Sequence, residues 1–229
     1  MNTFDFFDKI FYINLDSRPE RKATVEKLFN QYGIKAERFS AIQLSPEQNE
    51  NLRQDGCFFR GDERPEHARY TKSCTLSHLS VIFRAKLMGY KNVLVFEDDV
   101  VFREDILQEL NLALQDLKKQ DRWDMFYIGC NPLSYKKVTD HLGMSKGALA
   151  AHAYAVNSHF YDTVLNIPFK HLPSTDMYYH NLGTEENNKI YMAMQNLAWQ
   201  APSYSTLEET NVDYFPSIQA RYDNNMEKE

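Results

Sequence analysis

Residues 92–100 read Asn-Val-Leu-Val-Phe-Glu-Asp-Asp-Val, an apolar strand that runs straight into three consecutive carboxylates. Unbroken apolar residues of β-branched and aromatic type mark a strand buried on both faces, as in a parallel sheet. Three adjacent acids repel one another, so the cluster needs a compensating positive charge. In an extended chain successive side chains alternate faces, which puts Glu97 and Asp99 on one side and Asp98 on the other. Two carboxylates on one face suit a hard divalent cation. Mn²⁺ or Mg²⁺ takes oxygen ligands and leaves positions open for phosphate oxygens. The competing reading is a solvated turn whose acids cap the helix beginning near Arg103.

Outward from this strand, the pattern alternates between strand and helix. Residues 8–15 (DKIFYINL) read as a strand. A helix follows over 17–33, with Ser17 and Glu20 at capping-box spacing, Pro19 in the first turn and Gly33 at the end. Residues 35–42 form a second strand. Residues 45–70 are polar and loop-rich. A helix is expected at about 75–88, then the strand 92–96, then a helix at about 103–119 with Ile106, Leu110, Leu114 and Leu117 on one face. Residues 123–130 and 148–156 read as further strands, the second rich in small residues. Helices are expected from Ser158 and over 174–183, and a late strand over 189–194. Strands alternating with helices predict a single three-layer α/β/α domain over residues 1–210, with a mostly parallel central sheet, followed by a polar C-terminal tail over 211–229. In such sheets ligands bind beyond the carboxyl ends of the strands, which is where the acidic cluster stands.

Composition narrows the function classes. The chain has 229 residues, 43% hydrophobic, with a net charge of −6. That is a globular composition. Its acidity argues against nucleic acid as a partner. No apolar run approaches the roughly 20 residues of a membrane span, and no secretory leader is legible, so a cytoplasmic setting without a transmembrane segment is expected. Cys57, Cys74 and Cys130 form no CxxC pair, in keeping with reduced thiols.

Three stretches, FYINLDSRPERK (11–22), CTLSHLSVIFRAKLMGYKNVLVFEDDV (74–100) and AHAYAVN (151–157), resemble glycosyltransferase family 25 in that family's order. The family includes lipooligosaccharide and collagen hydroxylysine galactosyltransferases, and the likeness extends over roughly residues 9–205. It implies a GT-A-like fold, a UDP-hexose donor (galactose or glucose) and a glycan or hydroxylated protein acceptor. It also implies transfer with inversion, and Glu97-Asp98-Asp99 in the place of a DxD motif, here as ExD. Where the family commonly has a Gly-Cys pair before Ser-His, this chain has Ser73-Cys74.

The remaining candidates follow from that chemistry. Asn14, Arg18 and Arg21 lie on the first strand-to-helix turn, where arginine forks and a helix N-terminus suit a diphosphate; surface pairing of the arginines with Glu20 or Asp16 is the alternative. Ser77 and His78, with Asp98, are expected near the donor. His152 and Tyr154 stand on the small-residue strand, where Ala151 and Ala153 leave room for a sugar or simply pack. Asp176 is the candidate base for the acceptor hydroxyl, or an ordinary helix-start charge. Residues 199–205 are read as closing over the diphosphate, and 45–70 and 131–147 as lids around the acceptor. A metal-dependent phosphohydrolase also uses clustered acids, but the histidines at 67, 78, 141, 152, 159, 171 and 180 form no HxH or HxD pair. A non-catalytic sugar-binding relative is the third reading.

Overall fold

A computed structural model describes residues 2–57, 65–170, 172–205, 210–213 and 215–227. In chain order its elements are β1 (Lys9–Asn14), α1 (Pro19–Tyr32), β2 (Glu37–Ser40), α2 (Pro46–Gln54), α3 (Pro65–Leu87), β3 (Asn92–Glu97), β4 (Val100–Phe102) and α4 (Ile106–Leu117). There follow β5 (Met125–Pro132), β6 (Tyr135–Lys137), β7 (Leu142–Ser145), β8 (Ala148–Asn157), α5 (Tyr161–Leu165), α6 (Thr175–Thr184), β9 (Ile190–Ala193), β10 (Ala198–Gln200), β11 (Ser203–Ser205), β12 (Thr210–Val212) and α7 (Phe215–Asn224).

Eight strands form one sheet in the order β2-β1-β3-β8-β5-β9-β7-β6. β8 and β7 run against the other strands, so the sheet is mostly parallel in direction. Alternation along the strands builds two apolar layers. Ile10, Tyr12, Leu94 and Phe96 face Val25 and Phe29 of α1 and Ile106, Leu110 and Leu114 of α4. Phe11, Ile13, Val93 and Val95 face Val81, Ile82 and Ala85 of α3, with α5, α6 and α7 on the same side. Both faces of the sheet are covered, which is why strands such as 92–96 read as continuous apolar runs. The three-layer α/β/α expectation is met. Among the described residues no helix is long and apolar enough to cross a membrane.

Several boundaries differ from expectation for definable reasons. α1 begins at Pro19, so Arg18, not Ser17, is the cap residue, and no side-chain cap forms; Gly33, at φ 66°, ends the helix as expected. The polar 45–70 stretch hides α2, whose Ser45 and Gln48 form a reciprocal capping box. Positions 58–64 of that expected lid lie outside the described residues. α3 starts about ten residues early. Its first half is rich in Ser and Thr, whose hydroxyls bond back to the preceding turn (Thr71 to His67 O, Ser73 to Arg69 O, Ser77 to Ser73 O) and so remain compatible with a helix. Residues 131–147 are not a free lid: β6 and β7 form a hairpin that joins the sheet through β9. Within 211–229, residues 215–224 form a helix rather than a loose tail, with Ile218 and Tyr222 buried against the sheet. The Tyr135 hydroxyl donates to Tyr222 O at 2.5 Å.

Candidate active site

β1 and β3 are parallel neighbours with Ile13 opposite Glu97, so Asn14 and the acidic cluster share one edge of the sheet. β8 runs the other way. Ala153 lies opposite both Phe96 and Gly129, which brings His152 to the same edge. The chain turns at Asp98-Asp99 and re-enters β4, and this turn corrects the expected alternation. Glu97, still on the strand, points to α3, where His78 Nε2 lies 3.2 Å from Glu97 Oε1. Asp98 and Asp99 both face α1 and share one guanidinium nitrogen: Arg21 Nη1 donates to Asp98 Oδ1 at 3.1 Å and to Asp99 Oδ2 at 3.2 Å. Arg21 is therefore spent on the carboxylates, and the chain supplies part of the compensation itself.

Asn14 is buried and tied down on every side. Its amide donates to Asp98 Oδ2 at 2.6 Å and to Arg18 O at 3.2 Å, and its oxygens accept from Arg38 at 2.8 and 3.1 Å. Arg38 also reaches Asp16. The second wall of the turn comes from β10, which pairs antiparallel with β4. Gln200 Nε2 donates to Glu97 Oε2 at 3.0 Å, and Ala201 N–H donates to Asp99 O at 2.7 Å. Gln200 and Ala201, within the 199–205 segment, thus close on the acidic turn. Gly129 permits this approach: a Cβ there would lie 1.8 Å from Ala198 O.

The electrostatics follow the packing. Burial, then Glu97 and Asp98, push the Asp99 carboxyl up to about 7, although Arg21 opposes them. Asp99 Oδ1 is buried with no hydrogen-bond partner. Burial works against the charge on Glu97, but the bond to His78 and the fields of His78, His152 and Arg21 hold its carboxyl below the usual range. Burial also opposes the charge on Arg21, yet Asp99 and Asp98 hold its pKa above the ordinary value.

The other expected residues divide into two groups. Arg18 stands half-buried at the start of α1, 3.7 Å from Glu20. Asp176 is half-buried in the first turn of α6, with Oδ1 accepting from Met177 N–H at 3.1 Å. Burial, then the fields of Glu97 and Asp176, raise the Cys74 thiol, and Thr175 beside Asp176 bonds to Cys74, so α6 belongs to the same edge. Ser77, His152 and Tyr154 are fully buried and leave no face for a ligand. Ser77 Oγ accepts from Ile42 N–H and donates to Ser73 O, which anchors the 41–44 segment. His152 Nε2 meets Ala198 O at 2.9 Å and ties β8 to β10, and burial holds its pKa down. The Tyr154 hydroxyl backs His78 Nδ1 at 2.9 Å and accepts from Tyr179 at 3.1 Å. Ala153 packs in the core and opens no sugar cavity. These three residues position others. Arg38 and Gln200 are the parts that sequence reasoning did not name; each makes its contact from a remote element, and a single sequence carries no mark of that.

Residues 7–139 match Glycosyltransferase family 25 (LPS biosynthesis protein). The chain belongs to this family. A Drosophila melanogaster "Glycosyltransferase 25 family member" is 35% identical over 127 residues, covering 53% of this chain and 21% of the relative. A human "Inactive glycosyltransferase 25 family member 3" is 29% identical over 156 residues, covering 65% of this chain and 26% of the relative. The chain therefore spans about a fifth to a quarter of the length of these relatives. Among solved structures, a mannose-1-phosphate geranyltransferase from Thermus thermophilus aligns with a TM-score of 0.42 at 10% identity, over 81% of this chain and 72% of that one.

Proposed function

We propose that this chain is a metal-dependent, inverting hexosyltransferase. It moves galactose or glucose from a UDP-sugar to a hydroxyl of a glycan or a hydroxylated protein. The observation that carries the reading is the imbalance at the acidic turn. Asp98 and Asp99 share one guanidinium, Glu97 crowds the same turn, and Asp99 Oδ1 is buried without a hydrogen-bond partner. That donor set fits a hard dication. Glu97 and Asp99 would hold it, and it would supply Lewis-acid neutralisation of the departing diphosphate.

The protein's own groups divide the remaining work. Asp98 stays with Asn14 and Arg21 and fixes the turn. Arg18 and the N-terminal end of the α1 dipole offer positive charge to the diphosphate. His78 and Gln200 hold the two oxygens of Glu97 in place. Asp176 takes the proton of the acceptor hydroxyl. The acceptor oxygen then attacks the anomeric carbon from the face opposite the leaving UDP, so the new C–O bond forms as the C–O bond to the diphosphate breaks and the configuration inverts.

Incubation with Mn²⁺ and a panel of UDP-hexoses tests this. One donor is expected to release UDP with sugar appearing on a hydroxyl acceptor, and Asp176→Asn is expected to lower that rate about 10²–10⁴-fold while donor affinity holds. Phosphate release without sugar transfer would favour a hydrolase. Donor binding without turnover in every condition would support the non-catalytic reading, to which the relative named inactive lends weight.

A further inference from the structure

Cys74 and His78 stand four residues apart on α3 and so share one face of the helix. Glu97 faces them from the end of β3. Cys74 Sγ, a His78 ring nitrogen and a Glu97 carboxylate oxygen all lie within 4.8 Å of one another. The His78–Glu97 edge is already 3.2 Å. Ligand atoms around a tetrahedral zinc ion are about 3.3–3.7 Å apart, given bonds of about 2.0–2.3 Å, so small side-chain shifts would close the set.

We propose that Cys74, His78 and Glu97 form a second cation site, selective for a thiophilic dication such as Zn²⁺ or Cd²⁺, and that its occupation withdraws Glu97 from the hard-cation site. A thiolate, an imidazole and one carboxylate are a borderline-to-soft donor set, unlike the all-oxygen turn beside it. The support around His78 is that of a metal-bound histidine. In the metal-free site His78 Nε2–H donates to Glu97, while the Tyr154 hydroxyl, itself accepting from Tyr179, donates to Nδ1. On binding, the ring proton moves from Nε2 to Nδ1, where the Tyr154 oxygen accepts it, and Nε2 presents its lone pair to the cation. Cys74 is half-buried on the α3 face that meets β3. Burial pushes its thiol up, and the fields of Glu97, Asp176 and Asp99 push it further; the same negative fields favour a cation beside the sulfur. On binding, the thiol proton leaves to solvent and the sulfur–metal bond takes its place. Zn²⁺ therefore acts as a competitor for Glu97. The site shares that residue with the transferase reading but does not rest on it, because the test reads metal binding with no donor present.

The probe is Co²⁺ added to the metal-free full chain. The wild type is expected to gain a thiolate-to-cobalt charge-transfer band that saturates at one equivalent, and that Zn²⁺ removes and Mg²⁺ does not. Cys74→Ser should abolish the band and weaken Zn²⁺ binding at least about tenfold, and His78→Ala should weaken it similarly. Asp99→Ala should retain the band. Absence of the band in the wild type overturns the proposal. So does a band that survives Cys74→Ser, since the thiolate would then be Cys57 or Cys130. Should Cys74→Ser not fold, alkylation of the wild type with iodoacetamide decides. Zn²⁺ should protect Cys74 in the peptide map, and equal labelling with and without Zn²⁺ overturns the site.

Discussion

Arg21 is the residue on which the acidic turn depends. Its side chain is 27% exposed and bridges carboxylates that are 11% and 14% exposed, between the regimes where a pair is worth almost nothing and where losing one partner costs several kcal/mol. Arg21→Met is expected to lower the stability of the metal-free protein by on the order of 2 kcal/mol, with part of the loss recovered when Mn²⁺ is added; urea unfolding with and without the ion measures both. Asp99→Asn should do the reverse. It removes a like charge from a crowded, buried position, so the metal-free protein should gain about 1 kcal/mol while UDP and Mn²⁺ lose their joint effect. The acidic cluster is legible in the sequence because three acids on an apolar strand conflict with simple burial. The direction of each carboxylate is not, because the backbone turns at Asp98 and the period-two rule ends there. Arginines at 18 and 21 look alike in sequence, yet Arg21 reaches the acids and Arg18 pairs with Glu20.

Elements extend the same lesson. α1, β3 and α4 are legible because their apolar spacing agrees with the packing they enter, and Gly33 marks the end of α1. α2 is obscured by its polar body, although Ser45-Pro46-Glu47-Gln48 carries a complete start signal. Ser45→Ala should cost about 1 kcal/mol, measured by chemical denaturation; an unchanged midpoint would mean that the cap contributes nothing. The short β4–β10 ladder is illegible because its three-residue strands have no period of their own and exist through pairing. Gly129 lets that ladder approach β5, with backbone 1.8 Å from where a Cβ would stand. Gly129→Ala should therefore cost about 3 kcal/mol or more and also loosen Gln200 from Glu97. The matching check is a thermal melt together with Mn²⁺ affinity, both expected to fall.

Across the whole molecule, one sheet covered on both sides fixes where chemistry can occur. Parallel β1 and β3 bring their carboxyl ends together, while β8, running against them, contributes His152 to that edge rather than to the far one. Strand–helix alternation makes the layers readable, but the antiparallel insertion of β8 is a long-range pairing with no local signal. The closing helix escapes a reading by composition because 211–229 is polar in bulk, whereas among the described side chains Ile218 and Tyr222 dock α7. Ile218→Ala should cost about 2–4 kcal/mol without altering donor specificity. The most direct measurement is the melting temperature of the wild type with UDP, with and without Mn²⁺. With both ligands at about a hundred times their dissociation constants, the expected rise is about 5–10 °C, absent with UDP in EDTA and absent in Asp99→Ala. An equal rise from UDP in EDTA would contradict a cation held by Glu97 and Asp99.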